Sequence, residues 1–246
     1  MRNLLLRLCF DGKNYHGWQI QKNATSVQGV FQDSLRSVTG ENCEIKACSR
    51  TDAGVHAREF CVNVFLNHRI SCGGLKMALN RVLPRDIVVF DCAQVPFDFH
   101  ARYSCVAKEY VYKILNTPVR SPFLEGYVLH YWCEMDLAAI QKSASFFVGT
   151  HDFSSFCTLD SRQKGDFRRT IKSFLVTRDE DIVTITVKAD GFLYNMIRIM
   201  VGTLLKISQK RLKPSEISAI LEAKNRALAG PTVRPCGLYL NRVFYE

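Results

Sequence analysis

The sequence predicts an α+β fold built from two mixed units. Strand and helix patterns alternate in the first half of the chain, and the same alternation returns after about residue 104. The 246 residues suit one large domain or two ordinary ones, and hydrophobic residues make up 47% of the chain against 23% charged residues. Such a composition supplies a buried core without disulfides or a metal ion.

The first unit is predicted from hydrophobic periodicity and from local stop signals. Three segments have the apolar, β-branched character of strands: residues 4–10, 61–66 and 86–95. Ser26 can cap a helix whose apolar residues recur at helical spacing: Val27, Val30, Phe31, Leu35 and Val38. A second helix over residues 75–83 ends before Pro84, which cannot continue it.

The second unit is predicted in the same way. Tyr110, Tyr112 and Ile114 alternate as one face of a strand, and Asp136 can cap a helix. The polar residues 178–181 connect two strand patterns and favour an antiparallel hairpin. Three further elements follow: a nearly all-apolar helix over residues 193–207, a short helix beginning at Pro214, and a closing strand over residues 237–245.

The boundary between the units is predicted near residue 104, so the units span residues 1–103 and 104–246. No low-complexity linker separates them in the sequence. We therefore expect the halves to share one continuous sheet or a broad interface.

The charge balance points to a polyanionic partner. Lysine and arginine number 33 against 23 acidic residues, which gives a formal net charge of +10. An excess of this size favours nucleic acid over a basic partner, although charge alone identifies no ligand.

The ten cysteines indicate a reducing, cytoplasmic compartment. No two of them are spaced as Cys-x-x-Cys, which argues against a zinc ribbon. Most lie within apolar runs, where a reduced cysteine packs as a small hydrophobe. Arg7 and Asp11 interrupt the first apolar stretch before a secretion signal is complete, and no apolar run reaches the roughly 18 residues of a spanning helix. No membrane association is expected.

Residues 49–57, Ser-Arg-Thr-Asp-Ala-Gly-Val-His-Ala, form the candidate catalytic loop. Arg50 stands two residues before the carboxylate of Asp52, and the small residues after it allow a ligand to approach the backbone. The residue types alone are equally compatible with a solvated Asx-type turn.

This loop resembles Gly-Arg-Thr-Asp-Ala-Gly-Val-His-Ala, the hallmark of the TruA family of tRNA pseudouridine synthases, with Ser49 replacing the first glycine. Further blocks resemble the family in the same order: residues 11–19, 99–104, 108–112, 149–156, 169–171, 190–198 and 237–240. Together they span nearly the whole chain, and the chain is identified by them as a member of this family.

The resemblance implies isomerisation of uridine to pseudouridine in tRNA, at positions 38, 39 and 40 of the anticodon stem-loop. It implies no cofactor or metal, a homodimer, and one extended antiparallel sheet with helices on its outer side and a central catalytic cleft. Two alternatives stay open: a catalytically silent RNA-binding protein of the same fold, and a synthase with another uridine target. Residues 58–61 depart from many relatives, which have a glutamine there, and this departure bears on the target.

The resemblance also implies a role for each site residue. Asp52 is the catalytic nucleophile or base, and Arg198 pairs with it so that the carboxylate stays ionised in a pocket that excludes water. Tyr110 belongs to the catalytic set and stacks on the extruded uracil. Arg50 binds the RNA backbone and helps to displace the base, and Leu238 packs against the uracil. Whether the reaction passes through a sugar-linked adduct or a glycal is left open.

Overall fold

The computed structural model of the protein describes residues 1–158 and 165–245. Within this part the chain forms two compact units. The first comprises residues 1–106 and the C-terminal residues from Tyr239 onward, and the second comprises residues 107–238. The predicted boundary differs from this division in two respects. The predicted boundary lies three residues before the observed one, and it places the C-terminal strand in the second unit.

The first unit is a sheet of five strands with two helices. Its elements in chain order are β1 (Arg2–Phe10), α1 (Val27–Thr39), β2 (Ile45–Ala47), β3 (His56–Leu66), α2 (Cys72–Val82), β4 (Ile87–Val95) and, from the C-terminus, β10 (Leu238–Tyr245). The strand order is β4-β1-β3-β10, and β2 also pairs with β3. The helices α1 and α2 contact each other, and α2 packs on β4.

Local chemistry accounts for the ends of these helices. The hydroxyl of Ser26 accepts a hydrogen bond from the Gly29 N–H at 3.2 Å, which confirms the predicted cap. Ser71 caps α2 in the same way through Gly74, so α2 begins earlier than the pattern predicted. The core of this unit contains an aromatic pair, since the ring of Trp18 stacks on that of Phe60 of β3 with centroids 4.2 Å apart.

The second unit contains the remaining elements. These are β5 (Cys105–Leu115), which begins at the boundary, β6 (Leu129–His130), α3 (Leu137–Ser145), β7 (Gly149–Asp152), β8 (Arg168–Asp179), β9 (Ile182–Ala189), α4 (Met196–Ser208) and α5 (Glu216–Ala223). Its strand order is β5-β9-β8-β7, and β6 pairs with β5. The helix α3 packs against α4 and β8.

Several predictions for this unit are confirmed. Asp136 accepts a hydrogen bond from the Ala139 N–H at 2.9 Å and caps α3. The strands β8 and β9 form the antiparallel hairpin, with Asp179 opposite Ile182. Eleven of the thirteen residues of α4 are buried, as predicted from the apolar residues on nearly all sides of this helix.

Two strand pairings depart from the predicted antiparallel arrangement. Tyr239 and Leu240 of β10 pair in parallel with His56 and Ala57 of β3, and β6 pairs in parallel with β5. No tight hairpin joins either pair, so no turn imposes the antiparallel direction. The short strands β2, β6 and β7 have two to four residues each and were not predicted.

No helix within residues 1–158 and 165–245 is both long enough and apolar enough to cross a bilayer.

Candidate active site

The carboxylate of Asp52 is presented on a tight turn just before β3. The Val55 N–H donates to the Asp52 carbonyl oxygen at 3.2 Å, and Gly54 has φ +75° while Ala53 does not have positive φ. These features define a type II turn, whose third residue requires the left-handed region that glycine adopts without strain. Asp52 itself is half-buried. The turn therefore holds its side chain at a defined point while part of it remains accessible.

The segment between β1 and α1 supports this turn from one side. The Trp18 N–H donates to the Thr51 carbonyl, and the Gly54 N–H donates to the Tyr15 carbonyl, both at 3.1 Å. Gly12 approaches still more closely, because a Cβ atom built on it would lie 1.9 Å from the Val55 carbonyl oxygen. No side chain fits in that space. The motif at residues 11–19 thus supports the backbone of the Asp52 turn.

His56 anchors the loop to its surroundings. Its Nδ1 lies 3.1 Å from the Gly12 nitrogen and 3.0 Å from Asp11 Oδ1, so it accepts from Gly12 when unprotonated and donates to Asp11 when protonated; its ring stacks on Tyr239 with centroids 4.7 Å apart. The side chain is only 2% exposed. These contacts assign His56 a structural role and connect the start of β3 both to Gly12 and to the C-terminal strand.

Arg50 lies exposed at the start of the same loop, two residues before Asp52. An exposed guanidinium at this position can reach an RNA phosphate, because it is always charged and carries five N–H donors. Ser49 does not have positive φ, so serine is accommodated where the family motif has glycine.

In the second unit, Arg198 projects from the first turn of α4. Its Nε donates to the Val233 carbonyl oxygen and its Nη1 donates to Asn195 Oδ1, both at 2.7 Å. The side chain is half-buried. Two contacts from different segments therefore define the plane of the guanidinium.

Tyr110 and Leu238 are both buried in the second unit, each 6% exposed. The ring of Tyr110, on β5, meets Phe192 edge to face with centroids 5.0 Å apart. Leu238 ends the segment of residues 230–238. This segment contacts α4, because the Val233 carbonyl accepts from Arg198. It also contacts β5, because the Arg234 carbonyl accepts from the Tyr112 hydroxyl at 2.6 Å. This segment links the elements that carry Arg198, Tyr110 and Leu238.

The predicted site residues thus fall into two groups. Asp52 and Arg50 share one loop of the first unit, while Arg198, Tyr110 and Leu238 lie on linked elements of the second. The ion pair between Asp52 and Arg198 stays a prediction. Two residues that support the site were not predicted in this role. Gly12 lies inside the motif at residues 11–19 and Asn195 inside the motif at residues 190–198, but neither motif indicates which of its residues support the site.

The cysteines are thiols in the structure, and all ten lie in the part of the chain it describes. Burial raises the pKa of Cys61 well above its usual value, and neighbouring Cys48 and Glu59 raise it further. Burial likewise raises the pKa of Cys92 to about 12. Such thiols stay protonated at neutral pH and act as packing residues. Within residues 1–158 and 165–245, no three His, Cys, Asp or Glu side chains gather as metal ligands.

Comparison with known proteins identifies the family of this chain. A family model described as tRNA pseudouridine synthase matches residues 9–104 and 144–246. The chain belongs to the tRNA pseudouridine synthase family. Among curated relatives, tRNA pseudouridine synthase A of Caldicellulosiruptor saccharolyticus is 44% identical over 245 residues, with all of both chains covered. The protein of the same name from Thermoanaerobacter sp. is 43% identical, also with full coverage of both chains.

A third relative, tRNA pseudouridine synthase A 2 of Clostridium tetani, is 42% identical and covers all of this chain and 99% of its own. The recognition from sequence motifs is confirmed by these matches, and so is the α+β pseudouridine synthase fold class. The protein is an isomerase of the family that forms pseudouridine in tRNA.

Proposed function

We propose that this cytoplasmic enzyme converts uridine to pseudouridine at positions 38, 39 and 40 of the tRNA anticodon stem-loop, with Asp52 as its catalytic residue. One observation carries the assignment of Asp52. Asp52 is half-buried on a type II turn whose backbone is hydrogen-bonded to that of Tyr15, which accepts, and Trp18, which donates. A rigidly presented, ionisable group is what a reaction at a single nucleotide requires.

The proposed reaction breaks the bond between ribose C1′ and uracil N1, turns the base, and joins C1′ to C5. The proton displaced from C5 balances the one gained at N1, so no atoms are added or lost. Asp52 acts either by attacking the nucleotide or by removing a proton from it. Both routes need the carboxylate in its anionic form.

Arg198 is proposed as the counterion of Asp52. A carboxylate partly removed from water is stabilised in its charged form by a nearby guanidinium, whose planar fork donates two parallel hydrogen bonds that lysine cannot reproduce. The bonds to Val233 and Asn195 support this role, because they hold the guanidinium in one orientation before substrate arrives.

Recognition of the extruded base is proposed for Tyr110 and Leu238. A base that leaves its helical stack loses its neighbours, and an aromatic ring with an apolar side chain partly replaces them. Arg50, exposed beside Asp52, is proposed to bind the phosphates that flank the target.

The target assignment is tested with unmodified tRNA transcripts and chemical mapping of pseudouridine. We expect product at uridines 38, 39 and 40. Matched transcripts carry cytidine at these positions, with compensating changes in the paired strand, and keep every other uridine. They should yield no product. Pseudouridine at other uridines of the matched transcripts would show that the proposed target is wrong while the enzyme class stands.

We also propose that the enzyme acts as a homodimer. The connection between β5 and α3 exposes three large apolar side chains: Val119 at 76%, Phe123 at 90% and Trp132 at 71%. Aromatic residues exposed to this extent are enriched at protein interfaces, and a second copy of the chain is the proposed partner.

Sedimentation tests the dimer. The wild type should sediment as a dimer, and the double variant Phe123→Glu, Trp132→Glu as a monomer, because two charges would then be buried at the interface. Leu175→Glu is the matched control, since Leu175 is 55% exposed on β8, outside this connection. A wild-type monomer at working concentration would contradict the proposal, and so would dissociation of the control alone.

A further inference from the structure

Asn195, the residue immediately before α4, contacts Arg198 and stands in an unusual backbone conformation. We infer that Asn195 is a positioning residue, which sets the orientation of the Arg198 guanidinium for catalysis. The inference rests on the proposed role of Arg198 and adds a residue to which no part in the reaction has been assigned.

The backbone of Asn195 places its side chain beside Arg198. Its φ of +61° and ψ of 7° lie in the left-handed region, which few residues other than glycine and asparagine adopt. Its carbonyl accepts the Ile199 N–H at 3.0 Å and so begins the helix. Residues three apart at the start of a helix lie on the same face, which brings the amide of Asn195 to residue 198.

The amide of Asn195 has only one workable orientation. Arginine donates hydrogen bonds and accepts none, so the Oδ1 atom must face Arg198, where the distance to Nη1 is 2.7 Å. The Nδ2 atom then donates to Thr158 Oγ1 at 3.0 Å. Thr158 is itself held to this turn, because its N–H donates to the Tyr194 carbonyl at 3.1 Å.

A neutral amide suits this pattern. Aspartate could accept from the Thr158 hydroxyl, but its negative charge would compete for the guanidinium. Leucine offers neither bond, and glutamine is one carbon longer. The amide therefore bridges the Thr158 hydroxyl and the Arg198 guanidinium.

The bridge matters because an arginine side chain has several rotatable bonds, and each must be ordered before the guanidinium can pair productively. The Val233 carbonyl holds Nε, and Asn195 holds Nη1. With both in place the plane of the guanidinium is set before substrate binds. A catalytic group that is misplaced by about 1 Å can cost about 100-fold in rate.

Asn195→Gly tests the inference, because glycine accepts positive φ and deletes only the amide. We expect kcat to fall about tenfold or more, because the variant loses a hydrogen bond to the charged Arg198 at the catalytic centre. KM for tRNA should stay within about twofold, because this hydrogen bond does not contribute to tRNA binding. The acid limb of the kcat profile should move to higher pH, because Asp52 then loses part of its stabilisation by the cation.

Thr158→Val is the second variant, which removes the acceptor for Nδ2 and retains side-chain shape. It should lower kcat in the same direction, by a smaller factor. Glu180→Gly is the matched control, since Glu180 also has positive φ, at +48°, in the exposed β8–β9 turn. Its kcat and pH profile should equal those of the wild type.

A double-variant cycle separates positioning from general damage. Asn195→Gly should cost nothing further in an Arg198→Lys background, because the fork that it orients is already absent. An unchanged kcat in Asn195→Gly, or the same loss in both backgrounds, would overturn the inference. Full activity of Arg198→Ala would instead refute the proposed role of Arg198 itself, so the two failures are distinguishable.

Discussion

Asp52→Asn is expected to lower kcat for pseudouridine formation by about 10³-fold or more, while tRNA binding is retained. Asparagine has nearly the same shape as aspartate, but it is neutral and can neither attack the nucleotide effectively nor remove a proton. The type II turn should survive, because its hydrogen bonds use the backbone atoms of Asp52, Gly54 and Val55. The loss should therefore appear in chemistry and not in folding.

The measurement is a single-turnover assay together with a tRNA-binding titration and thermal unfolding. Asp33→Asn is the matched control, since Asp33 is an exposed carboxylate on α1 with Arg36 as its neighbour. This control should keep wild-type rates. Activity of Asp52→Asn within about tenfold of the wild type would remove Asp52 from the proposed mechanism.

Gly12→Ala is expected to have the second largest effect. The new Cβ would lie 1.9 Å from the Val55 carbonyl oxygen and 2.5 Å from its carbon, so backbone must move on one side or the other. Neither side moves easily, because Val55 closes the Asp52 turn and the Gly12 N–H donates to buried His56. We expect the free energy of unfolding to fall by about 2–3 kcal/mol, and kcat/KM to fall about tenfold or more as the turn shifts.

Gly73→Ala is the matched control for Gly12→Ala. A Cβ at Gly73, in the exposed first turn of α2, meets nothing within 4 Å. Alanine there should raise the free energy of unfolding by about 0.5–1 kcal/mol and leave activity unchanged. Urea unfolding and the modification assay are measured on all three proteins. If Gly12→Ala has the stability and rate of the wild type, the segment at residues 11–19 does not constrain the Asp52 turn.

Much of the local structure could be predicted because its causes lie within a few residues. The caps at Ser26 and Asp136 follow from hydroxyl and carboxylate acceptors placed at helix starts. The hairpin around residues 178–181 follows from two alternating segments joined by polar residues. Short strands such as β2 and β7 had no comparable signal, because so few residues carry little periodicity.

The candidate site likewise contains residues that the sequence predicts and residues that it does not. Arg50 and Asp52 could be predicted from one contiguous motif, and the resemblance nominated Arg198, Tyr110 and Leu238. The supporting residues could not be found in that way. The need for glycine at position 12 arises from a carbonyl 43 residues later in the chain, and the contact of Asn195 with Thr158 depends on how a separate loop returns to α4.

The sequence by itself determined the family and the strand and helix character of most segments, and it nominated residues 49–57 as the catalytic loop, because each of these rests on contiguous residues. Only the tertiary structure decided that the last strand, β10, returns to β3 in parallel and that Gly12 lies against Val55. It also decided that Asn195 holds Arg198. These contacts join residues that local pattern cannot relate, because their geometry is set by the packing of whole elements and not by the preferences of neighbouring residues.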